Sequence, residues 1–238
     1  MTNSANVTIG QGARIIDQYG NNAFRNFATN TSGAVFVLLG IQTLAVSTDF
    51  GNAGTMRVRG DFRVNSYTQT AGITKGNLTA TNTYTQTGGS ASLSHLRAPG
   101  GTTIQAGTFS GGHIESAVTS SGSVTPGVSL NHPGTLDVTA YTQNAAGSLN
   151  IGIRSATQYG KVAAGNGASL NGTLTIKLIN GFVPAICDTF TVVSGSAITG
   201  KFASVNGLSV NSNEHFEIAV DADCHVGSGI KSYLTDLL

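Results

Sequence analysis

The chain has 238 residues, only 10% of them charged, and its 12 basic and 11 acidic side chains leave a formal net charge of +1. Globular chains usually carry about 25% charged residues, and disordered ones combine low hydrophobicity with high net charge. Here 39% of residues are hydrophobic and 32 are glycine, which excludes disorder and points to an ordered, uncharged, β-rich chain. The basic residues are spread along the whole length rather than clustered to neutralise phosphates, so nucleic acid is not an expected partner.

From the N-terminus, "MTNSANVTIGQG" lacks the basic-then-apolar pattern of a secretion signal and reads as a mature or truncated start entering a strand at "VTI". The longest apolar stretch, "GAVFVLLGI", is broken by Gly40 and falls short of the ~18 residues of a transmembrane helix, so no membrane span is expected. In "MRVRGDFRV", Arg57, Arg59 and Arg63 form the one local concentration of positive charge, which reads as a solvated strand face with Asp61 nearby.

"YTQT" follows at 67–70 and returns at 84–87, and "YTQN" stands at 141–144, so three of the chain's 6 tyrosines sit in one tetrapeptide. The first two units are 17 residues apart and the last two are separated by three steps near 19, too short for paired-helix repeats and right for one coil of a β-solenoid. Between them lie runs such as "GNLTA", "GTTIQAGTF", "GTLDVTA" and "GSLNIGI", nearly all led by glycine and alternating apolar or small residues with polar ones. That alternation is the signature of half-buried strands, with glycine turning the chain between faces. Parallel stacking at ~4.8 Å per coil predicts a rod of about a dozen coils. In it Tyr67 would stack on Tyr84, and Gln69 and Gln86 would form an amide ladder. A sandwich would not hold so constant a coil length.

Candidate chemistry is sparse. No nucleophile elbow, zinc-protease helix or phosphate loop occurs. In "GGHIES", His113 and Glu115 are two apart and leave the same face of a strand, a pair suited to general acid–base catalysis or to a solvated surface. His95 and Arg97 in "SLSHLRAPGG", and His132 in "LNHPG", are placed beside turns. In "FEIAVDADCH", Glu217, Asp221 and Asp223 share one face as hard oxygen ligands for Ca²⁺ or as a charged edge that repels aggregation. Cys187 and Cys224 lack zinc-site spacing, which leaves a disulfide or two buried thiols.

The order "GTLDVTAYTQNAAGSLNIGI", then "GASLNGTLTIKLINGFVP", "DTFTVV" and "ITGKFASVNGL", resembles the C-terminal part of autotransporter-like bacterial surface proteins, from about Leu44 to Val220. The resemblance implies an all-β, right-handed parallel β-helix that is secreted or displayed at the cell surface. Some members of that group adhere and some are enzymes; no catalytic motif is shared, so no functional residue carries over. Two departures stand out: Cys187 replaces the usual glycine, and "DADCHVGSGIKSYLTDLL" replaces the expected closing strand. The expectation is therefore coils over residues 1–167 and an antiparallel C-terminal cap over 168–238. Phe190, Phe202 and Phe216 would form the cap's core, and a Cys187–Cys224 bridge would tie its edges. The function expected is a structural or adhesive module for carbohydrate, matrix or cell surface. The alternative is a small extracellular hydrolase or lyase acting on an ester, lactone or glycosidic bond, with Ca²⁺ as a candidate ion. Oligomeric state is not readable from the sequence.

Overall fold

The computed structural model describes residues 1–40, 42–185, 187–210, 214–218 and 230–235. Strands dominate and pair in parallel with their equivalents one coil away, as a parallel β-helix requires. The pairs fall into three columns, the three faces of the rod. The first runs through Thr2–Asn3, Thr29–Asn30, Phe50–Asn52, Tyr67–Gln69, Tyr84–Gln86 and Thr102–Ile104, then 118–120, 141–143, Ala168–Leu170 and Ile198–Gly200. That makes ten rungs among the described residues, rather than about a dozen, because several coils are longer than 19 residues. The second face follows each first-face strand across a corner, as in Ser148–Ile153, Thr173–Leu178 and Ser204–Asn206. The third carries the inward file Leu44, Phe62, Leu78, Leu96, Ile114, Val138 and Ala164.

The recurring tetrapeptide is one hydrogen-bonded device. Tyr67 and Tyr84 lie in register in neighbouring coils with rings stacked at 5.7 Å and 6°. Tyr141 stands three coils beyond Tyr84, through Thr102 and Val118. Each tyrosine points inward, and its hydroxyl donates to the glutamine two residues on: Tyr67 to Gln69 at 3.4 Å, Tyr84 to Gln86 at 3.2 Å, Tyr141 to Gln143 at 2.9 Å. The glutamine amide then donates to the carbonyls of the next corner, as Gln86 does to Gly89 and Thr108 and Gln143 does to Gly147, Asn171 and Thr173. A phenol and an amide thus satisfy the turn without a charge, which a buried site would penalise heavily. Burial accordingly pushes all three phenols well above their ordinary pKa.

Gln69 and Gln86 are in register, but Gln86 turns its amide to the corner rather than to Gln69. The amide ladder runs the other way along the rod. Asn3 donates to Asn30 at 2.9 Å, Asn30 to Asn52 at 2.8 Å and Asn52 to Gln69 at 3.0 Å, all in the interior. Asparagine is short enough for adjacent side-chain amides to meet along the stack, whereas the longer glutamine reaches back to the main chain.

The corner between the first and second faces is closed by a glycine file. The amide following each corner donates to the glycine carbonyl one coil earlier: Ile73 to Gly54, Ser90 to Gly72, Thr108 to Gly89, Ser123 to Gly107, Ser148 to Gly122, Thr173 to Gly147 and Ser204 to Gly172. Gly72 shows why no side chain fits. Its φ is +64°, and a Cβ there would lie 2.0 Å from the Gly54 carbonyl oxygen. Of the glycine-led runs in the sequence, those starting at Gly89, Gly107, Gly122, Gly147 and Gly172 belong to this file.

Among the described residues the C-terminal strands pair in parallel rather than as the expected antiparallel cap, and antiparallel pairing there is confined to the isolated Ser209–His215 bridge. Thr173–Leu178 pairs in parallel with Ser148–Ile153 on one side and Ser204–Asn206 on the other, so the coils continue through the C-terminal third. Thr189–Thr191 belongs to a separate three-stranded sheet, parallel to Ile230–Thr235, which in turn is parallel to Glu214–Ile218. The physical reason is the Gly172 corner, which templates one more coil just as its predecessors do. The segment after Leu178 leaves the coil as an excursion instead of turning back as a hairpin. The core residues of the expectation are nonetheless buried: Phe190, Phe202 and Phe216, with Phe190 and Phe216 edge to face at 5.9 Å. Cys187 is disulfide-bonded; Cys224 lies outside the described residues, as does Val220 at the end of the run expected to cover this core.

Candidate functional site

On the third face the inward file is apolar, and the residues alternating with it point to solvent. Because equivalent positions stack, a polar residue in one coil meets polar residues in its neighbours. His95 lies in register with His113, and His113 with Asp137. The two imidazoles are 5.3 Å apart between centroids and inclined at 31°. His113 Nδ1 is 3.1 Å from Asp137 Oδ2. Glu115 follows His113 on the same face, at a point where the strand slips register against the next coil between Ile114 and Ala117. Such a bulge re-aims side chains. Its carboxylate reaches back one coil, Oε1 lying 3.0 Å from His95 Nε2 and Oε2 lying 3.1 Å from Arg97 Nε.

The five side chains are about half exposed: His95 42%, Arg97 52%, His113 48%, Glu115 38% and Asp137 58%. Water therefore screens the pairs, and as surface ion pairs they contribute little to stability. Further along the same face Asp61 accepts from Arg63 at 2.6 Å and from Thr79 at 2.9 Å. This is the solvated arrangement expected for Arg63. Arg57 and Arg59 are also exposed.

His113 and Glu115 do project from one face of one strand, but each has a different partner, so they do not form a dyad with each other. Sequence spacing could not show that His95, Arg97 and Asp137 join them, because those contacts cross between coils. His95 and Arg97, expected beside a turn, lie in the strand Ser90–Arg97; the turn begins only after them. His132 does lie beside a turn, in the short strand His132–Pro133 that pairs antiparallel with the strand of Ser129, whose hydroxyl is 3.3 Å from His132 Nδ1. Of the proposed carboxylate face, Glu217 lies in Glu214–Ile218 with His215 Nε2 at 3.8 Å; Asp221 and Asp223 lie outside the described residues.

The first face presents a different surface. The outward residue between tyrosine and glutamine is threonine, and it repeats in register as Thr68, Thr85, Thr103, Thr119 and Thr142, continued by Ser169 and Thr199. At the strand spacing of ~4.8 Å these side chains form a flat, uncharged file of hydroxyls and methyls along the rod. The signal was the middle letter of YTQ, which the buried tyrosine and glutamine on either side overshadow.

A pocket of about 330 Å³ opens beside residues 13–24, lined by Ile9, Ile15, Phe24, Leu38 and Leu44 among others. It does not border the histidine cluster. Among the described residues no helix is long and apolar enough to cross a membrane. No protein-family model, curated protein or solved structure matches this chain.

Proposed function

We propose that the chain is a structural and adhesive module, secreted or displayed at a bacterial surface, that lays its threonine face against carbohydrate. The observation that carries this reading is the unbroken in-register file from Thr68 to Thr142. Hydroxyls both donate and accept hydrogen bonds, and a regular spacing along a stiff rod suits a repeating polymer, on which many weak contacts add. The resemblance to autotransporter-like passengers supports the same reading. The test is binding to a polysaccharide and matrix array with lysine placed on the flat face at Thr85, Thr103 and Thr119. Bound glycan should be lost by at least about tenfold in affinity, with circular dichroism unchanged, since these side chains point outward and surface substitutions shift stability by only about 0.5 kcal/mol each. Unaltered binding in the triple variant would refute the role of this face. A second reading, an extracellular hydrolase or lyase, draws on the His95–Glu115 contact beside His113 and is tested by screening ester, lactone and glycoside substrates against wild type, His95→Ala and His113→Ala.

A further inference from the structure

We propose that the third face holds a transition-metal dication, with zinc the best fit, between His95, His113 and Glu115. One ligand atom from each of the three lies within 4.8 Å of the others. A tetrahedral zinc site with bonds of ~2.0–2.1 Å has ligand atoms about 3.3 Å apart. The His95 Nε2–Glu115 Oε1 separation is already 3.0 Å. Closing the two sides to His113 asks for at most about 1.5 Å on each, from side chains that are about half exposed, which staggered rotamer changes provide.

The surroundings match what such a site needs beyond its ligands. A metal-bound histidine usually gives its other ring proton to a carboxylate, which fixes the tautomer and strengthens the donor. Asp137 stands in that position: its Oδ2 is 3.1 Å from His113 Nδ1, so the proton sits on Nδ1 and Nε2 keeps its lone pair for metal. Arg97 occupies Oε2 of Glu115 at 3.1 Å, leaving Oε1 as a single ligand oxygen. Two imidazoles and one carboxylate favour zinc, copper or nickel over calcium and magnesium, which take oxygen ligands. Three protein ligands leave one tetrahedral position for water or for a carboxylate of a bound molecule. On binding, the cation takes the place of the proton between His95 and Glu115, so one proton is released to solvent when that imidazole–carboxylate pair is protonated.

The test uses the untagged full chain stripped with chelator. Co²⁺ is titrated while its visible ligand-field absorption is followed, and Zn²⁺ is titrated calorimetrically and in competition with Co²⁺. A single site per chain, with the intense absorption of a four- or five-coordinate cobalt, is the expected result. His95→Ala and His113→Ala should each weaken binding by about 100-fold or more, and Asp137→Asn by about 10–100-fold, with circular dichroism unchanged. His132→Ala, outside the cluster, should bind as wild type does. Stoichiometric binding that survives in the His95→Ala/His113→Ala double variant would overturn the assignment, and so would six-coordinate, weakly absorbing cobalt with wild type.

Discussion

Raising the pH should unfold this protein through its interior tyrosines. Tyr67 and Tyr84 are fully buried and Tyr141 is 1% exposed. Desolvation raises all three phenols far above the value they have in an unfolded chain. A folded-state pKa above the unfolded one means that the stability contributed is complete below the unfolded pKa of ~10 and declines as pH rises past it. At pH 11 an unfolded phenol gains about 1.4 kcal/mol by ionising while a buried one gains nothing, so the three together cost about 4 kcal/mol. That is a large part of the 5–15 kcal/mol typical of a folded domain. Lysines also titrate in this range, so the clean measurement is differential. Tyr84→Phe loses the hydrogen bond to Gln86, a pH-independent offset of about 1 kcal/mol, and removes one phenol from the titration. The stability difference between wild type and Tyr84→Phe, measured by urea denaturation, should therefore shift by about 1.4 kcal/mol in favour of the variant between pH 9 and pH 11, closing the gap and slightly reversing it. Tyrosinate absorbance should meanwhile report fewer than the full 6 phenols until the chain unfolds. A gap that stays constant over this range, or complete ionisation near pH 10 with native circular dichroism, would refute the buried hydrogen-bonded phenols.

The asparagine ladder and the corner glycines give two further tests. Asn52→Leu should cost about 2–4 kcal/mol by thermal or urea unfolding, because Gln69 Oε1 and Thr74 Oγ1 lose a buried partner. Asn52→Asp should be least damaging in acid and grow worse as pH rises through the carboxylate range, because only the neutral acid can donate to Gln69; a pH-independent penalty would contradict the ladder. Gly72→Ala should cost at least about 3 kcal/mol, combining left-handed strain of about 1–2 kcal/mol with the clash against Gly54. Gly12→Ala, at φ +72° with open space around it, should cost only the strain, and equal penalties at the two sites would remove the steric account of the corner.

The architecture was legible because it depends on one-dimensional periodicity. Tyr, Gln and Gly recur at one position of the coil, and each carries its reason with it: an inward ring, an amide for the corner, and a residue without a Cβ. The direction of the C-terminal strands was not legible, since Thr173–Leu178 and Thr189–Thr191 have the same strand-like composition whether they turn back or continue. What decides between the two is the Gly172 carbonyl that receives Ser204, a contact across more than thirty positions. The histidine cluster was half legible. Alternation placed His113 and Glu115 together, but the distance to His95 depends on how many residues each coil spends on its excursions. That number differs from coil to coil.

Those excursions have an order of their own. The corner entering the second face is stitched in coil after coil by glycine carbonyls, and among the described residues no chain escapes there. The corner leaving it toward the third face is where material is let out: Ser129 to His132 as a small hairpin, residues 154–159 closed by the Ile153–Tyr159 bridge, and the long stretch after Leu178. One edge of the rod is thus a seam and the next a selvedge, open to added length without disturbing a rung. Chain spliced into that selvedge would emerge beside the histidine face, so a rod of fixed gauge could be given new trimmings near its charged surface while its interior weave stayed the same.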